Sequence, residues 1–386
     1  MKKHPLIIFL LLFASISIYA TAASDPLINV RHYPLEYCFK QIQWYILAFL
    51  AIYCIAKINN QDIFKYAKWL FGICIIAVYL LALQHQITQS GSDLKLIPFS
   101  HNVNGATAWF EFPGIGAIQP SEFLKMTYLL MLANIVYRHH QKYSHAQLKS
   151  DLKLIGSILL LTIPTCLGIL LQNDTGVMLI VLAGTIAVIC VSGIQKYWFI
   201  LALIILGISG YFAYQYILPY LQNVDSTALS YRFGRILGWL DPETYYESYG
   251  YQLYNASLSM ATAGLFGHGF QSIVMAFPEP QTDFIFAVLV SNAGLIAGAM
   301  LILMIIAFDL YLLKLVSQTK DQEHYLVVGL VGILFFQQFW NIAMILGLVP
   351  ITGITLPLIS YGGSSLMSYM MMFGLVYNLE KRFIKA

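Results

Sequence analysis

The residues able to do chemistry sit at the edges of apolar segments. The run Phe277-Pro278-Glu279-Pro280-Gln281-Thr282-Asp283-Phe284-Ile285-Phe286 places two prolines and a carboxylate directly ahead of an apolar stretch. Prolines stiffen the approach, and Thr282 or Asp283 suits the N-cap of the helix that follows. A helix N-terminus favours the ionised form of a nearby carboxylate. Ionised, Asp283 could accept a proton as a general base or hold a divalent cation, Mg or Mn. A second place is Gln119-Pro120-Ser121-Glu122-Phe123-Leu124-Lys125. Pro120 and Ser121 suit a helix start, and Glu122 and Lys125, three apart, share one helix face. They either neutralise each other as a structural ion pair or line a cavity for a charged ligand. Gln172-Asn173-Asp174-Thr175-Gly176 reads first as a tight polar turn between two spans.

The elements that must position these groups are membrane helices. The chain has 386 residues, of which 59% are hydrophobic and only 10% charged, whereas a soluble domain carries about 25% charged residues. Apolar segments fall near 6–23, 41–57, 66–85, 119–137, 153–171, 176–194, 197–219, 283–313, 325–346 and 360–378. Each approaches the length a helix needs to cross a bilayer. With no alternating barrel pattern, helices are the structure that satisfies the backbone in lipid. The expected fold is therefore an all-α polytopic membrane protein of about ten transmembrane helices, organised as one domain over 1–386. Ionisable groups at membrane depth are functional candidates in such a protein.

Orientation follows from the basic residues of the short loops. Lys2 and Lys3, Lys57, Lys65 and Lys68, Arg138, Lys142, Lys149 and Lys153, Lys196, Lys314 and Lys320, and Lys381, Arg382 and Lys385 form one set; Arg31, Lys40, Lys95, Arg232 and Arg235 form the other. Both termini are thus expected in the cytoplasm. Two long loops, about 85–119 and 220–282, then face outward, the second between helices 7 and 8. Their length marks them as functional. Met-Lys-Lys followed by an apolar run and Ala20-Thr21-Ala22-Ala23 also fits a signal peptide, but a chain with many later spans favours an uncleaved first helix. The net charge of +3 lies in inter-helix loops and gives no stripe for nucleic acid, and the five cysteines have no metal spacing. Near the C-terminus, Pro350, Gly353, Pro357, Gly362 and Gly363 interrupt an apolar stretch. Broken backbone at membrane depth belongs inside protein or along a cavity.

Several segments resemble the SEDS family (shape, elongation, division and sporulation), the RodA/FtsW/SpoVE group. They are Gly105-Ala106-Thr107-Ala108-Trp109, QPSEFLK from Gln119, QNDTG from Gln172, GWLDP from Gly238, GYQLYNASLSMATAGLFGHG from Gly250, FPEPQTDFIFAV from Phe277 and ITGITLPLISYGGSS from Ile351. They occur in family order over nearly the whole chain. The resemblance implies a ten-helix enzyme of the bacterial cytoplasmic (inner) membrane. It would be a peptidoglycan glycosyltransferase that polymerises lipid II at the outer face, for cell elongation and shape or for division. Its partner would be a class B penicillin-binding protein, a transpeptidase. The family's essential acidic residue falls on Asp283, its outer-loop tryptophan on Trp109, and its intramembrane pair on Glu122 and Lys125. Arg232, Arg235 or Lys125 would face the leaving pyrophosphate, beside Gln281 and Thr282. Gln281 replaces a common histidine, and Ser291-Asn292-Ala293-Gly294 replaces a frequent Glu-Glu-Leu-Gly. A lipid II transporter and a non-catalytic scaffold for the transpeptidase are the rival readings.

Overall fold

A computed structural model describes residues 4–28, 33–90, 94–103, 105–112, 116–143, 147–217 and 231–385. Ten long helices coincide with the ten apolar segments: α1 (Pro5–Ser24), α2 (Glu36–Ile55), α3 (Asn60–Gln89), α4 (Pro120–Lys142), α5 (Leu148–Leu171), α6 (Thr175–Val191), α7 (Lys196–Phe212), α10 (Ile285–Val316), α11 (Asp321–Ile345) and α12 (Gly363–Lys385). Two short helices, α8 (Tyr231–Leu240) and α9 (Tyr251–Ala261), lie in the long loop before α10. Among the described residues, seven helices are both long and apolar enough to cross a membrane by length and composition. The chain is a multi-pass helical membrane protein.

α4 is too polar to count among those seven helices. It runs through the middle of the bundle, packed by α3, α5, α6, α11 and α12. Leu124, Tyr128, Leu129, Leu132, Ala133 and Val136 are wholly buried. A helix buried along most of one face can carry Glu122 and Lys125, provided its polar groups find partners. Tyr128 Oη, for example, is 2.7 Å from Thr162 Oγ1 and 2.6 Å from Thr185 Oγ1. Small residues bring the neighbouring backbones close: a Cβ on Gly332 would lie 2.3 Å from the Ala187 Cβ, the packing that holds helices together without a hydrophobic driving force. α7 is the opposite case, with no buried side chain along its length. α1 is a bundle helix: Leu6, Leu10 and Phe13 are buried, Phe13 packs edge-on against Phe308, and Glu380 Oε1 accepts from the Leu6 amide at 3.1 Å.

The helical fold carries one addition in the first long loop. α3 continues to Gln89, and beyond it a three-stranded antiparallel sheet forms from β1 (Ser100–Val103), β2 (Ala106–Phe112) and β3 (Gly116–Ile118). The sheet is tied down by polar contacts: Thr107 Oγ1 meets His85 Nδ1 at 3.0 Å and the Asn102 amide at 3.2 Å.

Two breaks in regular structure shape the same end of the bundle. α10 is interrupted at Gly294, whose φ of 86° and ψ of 175° are not helical. The freed backbone groups pair with residues 264–269: His268 N donates to Ser291 O, Gly269 N to Asn292 O and Leu295 N to Gly264 O, at 2.9, 3.1 and 3.0 Å. Asn292 Oδ1 also accepts from Ser272 N. The break at Gly294 thus binds the loop through its backbone, and Asn292, one of the residues that departs from the family pattern, adds a side-chain bond. A Cβ at Gly294 would fall 2.2 Å from Leu265 O, in a backbone region that is essentially glycine's alone. Gly294→Ala is therefore expected to destabilise the protein by at least about 2 kcal/mol, seen as a lower thermal midpoint in detergent. An unchanged midpoint would show that this contact is not needed.

The second break is the stretch 346–362 between α11 and α12. It crosses the bundle end with Gly347, Gly353 and Leu358 at positive φ, and α1 and α2 clamp it. Ser17 Oγ donates to Ile359 O at 2.6 Å, Tyr45 Oη to Leu358 O, and Gln41 Nε2 to Ser360 O at 3.3 Å.

Candidate active site

The segment carrying Asp283 is held by its own carbonyls. Tyr361 N donates to Gln281 O at 2.8 Å, Ser360 Oγ to Thr282 O at 2.7 Å, and Asn341 Nδ2 to Asp283 O at 2.7 Å. Three successive carbonyls before α10 are thus fixed by the broken stretch and by α11. The helix N-cap is Phe284, with no side-chain cap bond, so neither Thr282 nor Asp283 caps the helix. Thr282 Oγ1 instead donates to Glu279 Oε2 at 2.9 Å, and Gln281 Nε2 reaches the same oxygen at 3.5 Å. Glu279 adopts φ 55°, a costly conformation of the kind that clusters at functional sites. The Asp283 carboxylate is left without a capping duty.

Around it the fold collects charge. A Cβ on Gly353 would lie 3.3 Å from Asp283 Oδ2 and 3.6 Å from Arg235 Nη1, so a glycine at this position leaves the space between carboxylate and guanidinium open. Arg235 comes from α8, which is pinned across the bundle end by Trp239 Nε1 donating to Gly347 O at 2.8 Å. Burial pushes the Asp283 carboxyl up to about 7; the Glu279 charge adds to this, Arg235 opposes it, and Asp174 adds a smaller push.

Asp174, which the sequence presents first as part of a polar turn and only second as a site, takes a larger part in the fold. Its Oδ1 accepts from Val177 N at 3.1 Å as the N-cap of α6, and its Oδ2 accepts from Gln119 Nε2 at 2.8 Å. Burial raises it to about 6, with Glu122 adding and Lys125 opposing. A capping role accounts for it locally, and only the fold shows its second bond, to Gln119 at the start of the helix that carries Glu122 and Lys125, and its electrostatic reach to that pair and to Asp283. Lys125 Nζ lies 2.6 Å from Glu122 Oε2 and 4.5 Å from the centre of the Tyr369 ring. Both residues are buried. The three motifs thereby form one polar seam, from Lys125 and Glu122 through Asp174 to Asp283. Ser121 Oγ, Thr352 Oγ1 and Gln281 Oε1, buried with no protein partner, keep hydrogen-bonding capacity in these same segments.

Other expected residues are placed differently. Trp109 lies on β2, partly exposed, on the face it shares with Thr107. The sheet is joined to the Asp174 turn by Asn173 Nδ2 donating to Gly105 O at 2.9 Å, and to α12 by Ser364 Oγ donating to Ala117 O at 3.2 Å. Arg232 is on α8, and its side chain lies outside the described residues.

A family model described as "cell cycle protein", covering FtsW, RodA and SpoVE, matches residues 3–383. The chain belongs to the FtsW/RodA/SpoVE family. Its relatives include stage V sporulation protein E of Bacillus subtilis, 29% identical over 87% of this chain and 85% of that protein. The probable peptidoglycan glycosyltransferase FtsW of the same organism is 30% identical over 78% and 75%. The peptidoglycan glycosyltransferase MrdB of Escherichia coli is 29% identical over 82% and 78%. Among solved structures, a chain of a peptidoglycan synthase complex described for its coordination of polymerization and crosslinking superposes with a TM-score of 0.73, at 25% identity, over 98% of this chain and 97% of that one. The rod shape determining protein RodA of Thermus thermophilus shares the fold, with a TM-score of 0.65 at 22% identity over 98% and 96%. Within the FtsW/RodA/SpoVE fold, the clamped Asp283 segment and the polar seam beneath it form the candidate active site. Among the described residues no group of three or more His, Cys, Asp or Glu side chains is gathered to hold a metal.

Proposed function

We propose that this chain polymerises lipid II into glycan strands at the outer face of a bacterial cytoplasmic membrane, with Asp283 as the general base. The activity class is the family's: the chain is a peptidoglycan glycosyltransferase. The observation that carries the site assignment is the Asp283 carboxylate itself, free of capping, fixed through its backbone and facing Arg235 across Gly353.

In the reaction the 4-hydroxyl of the acceptor sugar attacks the anomeric carbon of the donor. A new carbon–oxygen bond forms, the bond to undecaprenyl pyrophosphate breaks, and the hydroxyl proton passes to Asp283. A positioned base contributes about 10²–10⁴-fold. Arg235 is the cation placed to receive the charge growing on the leaving pyrophosphate. Lys125, buried against Glu122 and Tyr369, acts through the electrostatics of Asp174 rather than by touching substrate. Trp109, Gln281 and Thr282 are assigned to sugar binding on the family's motifs, the last two adjoining Asp283 in the chain. A Mg or Mn ion carried on the substrate phosphates would supply charge neutralisation there, leaving the Asp283 carboxylate to take the proton. The transpeptidase partner is a class B penicillin-binding protein. The solved relative within a complex that both polymerises and crosslinks supports this pairing.

The proton affinity of Asp283 gives a direct test. The base works only when ionised, so with its carboxyl held at about 7 the polymerisation rate should climb about tenfold per pH unit below that value and level off above it. The measurement is a rate profile at fixed cation concentration, and a flat profile through the acid range would remove Asp283 as the base. Stability runs the other way. A carboxyl raised above its unfolded value near 3.9 binds its proton more tightly when folded, so its contribution is complete below about 4 and is lost as pH rises towards 7.

A further inference from the structure

We propose that Asn341 is a positioning residue for the glycosyl transfer, holding the Asp283 backbone against the segment that faces its carboxylate. The inference rests on the reading of Asp283 as the base. Asn341 sits one turn before the end of α11 and is wholly buried. Its side-chain nitrogen carries two hydrogens, and both are used: Nδ2 donates to Asp283 O at 2.7 Å and to Ile354 O at 2.7 Å. Both acceptors are carbonyls outside regular helix, one just ahead of α10 and one in the broken stretch between α11 and α12. Ile354 follows Gly353, the residue whose missing Cβ leaves the gap between Asp283 Oδ2 and Arg235 Nη1. One amide therefore sets the spacing between the two strips of backbone that form the walls of the site.

The chemistry selects asparagine. Aspartate at this place offers acceptors where donors are needed and would confront two carbonyls with its own oxygens. Leucine fills the volume but leaves both carbonyls unpaired. Glutamine keeps the two donors on a side chain one methylene longer. Ser360 and Tyr361 hold the two preceding carbonyls, so loss of Asn341 should shift the catalytic residue without releasing the whole segment. A misplacement of about 1 Å in a catalytic group costs on the order of 10²-fold in rate.

The test uses the full chain purified with its transpeptidase partner and assayed with labelled lipid II. Asn341→Leu and the near-isosteric Asn341→Asp are expected to lose about 10²-fold in kcat with KM within about twofold of wild type. Asn341→Gln should recover part of the loss. Gln338→Leu, a buried amide three residues earlier on the same helix that pairs with Asp309, serves as the control and should keep its kcat. A purely structural role would instead lower yield, thermal midpoint and partner retention in the Asn341 variants, with kcat per folded molecule unchanged, and that would overturn the proposal. If Asn341→Leu is not recovered, Asn341→Asp decides: a kcat within twofold of wild type overturns it. Asp283→Asn is run alongside. Full activity there would sink the base assignment, whereas an inactive Asp283→Asn beside fully active Asn341 variants would sink the positioning role alone.

Discussion

Asp283→Asn should lower the polymerisation rate by about 10²–10⁴-fold while leaving the protein folded and its KM for lipid II nearly unchanged. The expectation follows from what this carboxylate does not do. It does not cap α10, whose N-cap is Phe284, and the bonds that fix its segment run through backbone carbonyls. An amide of the same shape therefore disturbs little of the structure, and it removes the like charge beside Glu279. Thermal midpoint and partner retention should match wild type or rise slightly. A scaffold needs no base, so an Asp283→Asn protein that polymerises at the wild-type rate would contradict the mechanism. A rate loss with a proportional loss of folded protein would mean that the carboxylate is structural.

Lys125→Ala should be the most destabilising single change in the seam. Lys125 is wholly buried and Glu122 nearly so, with their charges 2.6 Å apart. Removing one member strands the other in a medium that cannot solvate it, which costs about 3–5 kcal/mol. The lost contact of the ammonium with the Tyr369 ring adds to this. The paired change Glu122→Gln with Lys125→Met removes both charges together, and buried pairs replaced in this way often regain their stability. Thermal midpoints in detergent should therefore fall sharply for Lys125→Ala and recover for the double variant. If the single variant melts with wild type, the pair is not a buried charge balance. Polymerisation by the stable double variant then tells how far the pair matters to the chemistry through Asp174.

Much of this arrangement was legible in the sequence, for specific physical reasons. The three-residue spacing of Glu122 and Lys125 put them on one helix face, and they meet there. The proline-framed approach to Asp283 marked a fixed carboxylate at the end of a span, although the local pattern equally suggested a cap that the structure does not make. Glycines and prolines after Pro350 announced a broken segment, and its partners are Ser17, Gln41 and Tyr45 from helices far away in sequence. Asp174 was hidden because one hydrogen bond to Val177 N explains it locally, while its second bond reaches Gln119, 55 residues away. The sheet after α3 was hidden because its strands are short and punctuated by glycine, so neither alternation nor length stands out. The break at Gly294 could not be read from a glycine in an apolar run, since its cause is the loop backbone that bonds into it. Arg235 was one of two arginines on a short helix, and its distance from Gly353 singled it out.

The central claim is that this chain makes glycan strands. The most direct test incubates the purified wild-type protein, with its transpeptidase partner and a divalent cation, with labelled lipid II and resolves the products by chain length. The account predicts a ladder of polymer with release of undecaprenyl pyrophosphate. No polymer from an intact complex, with substrate shown to be competent and instead crossing the bilayer of a vesicle, would contradict it and establish transport.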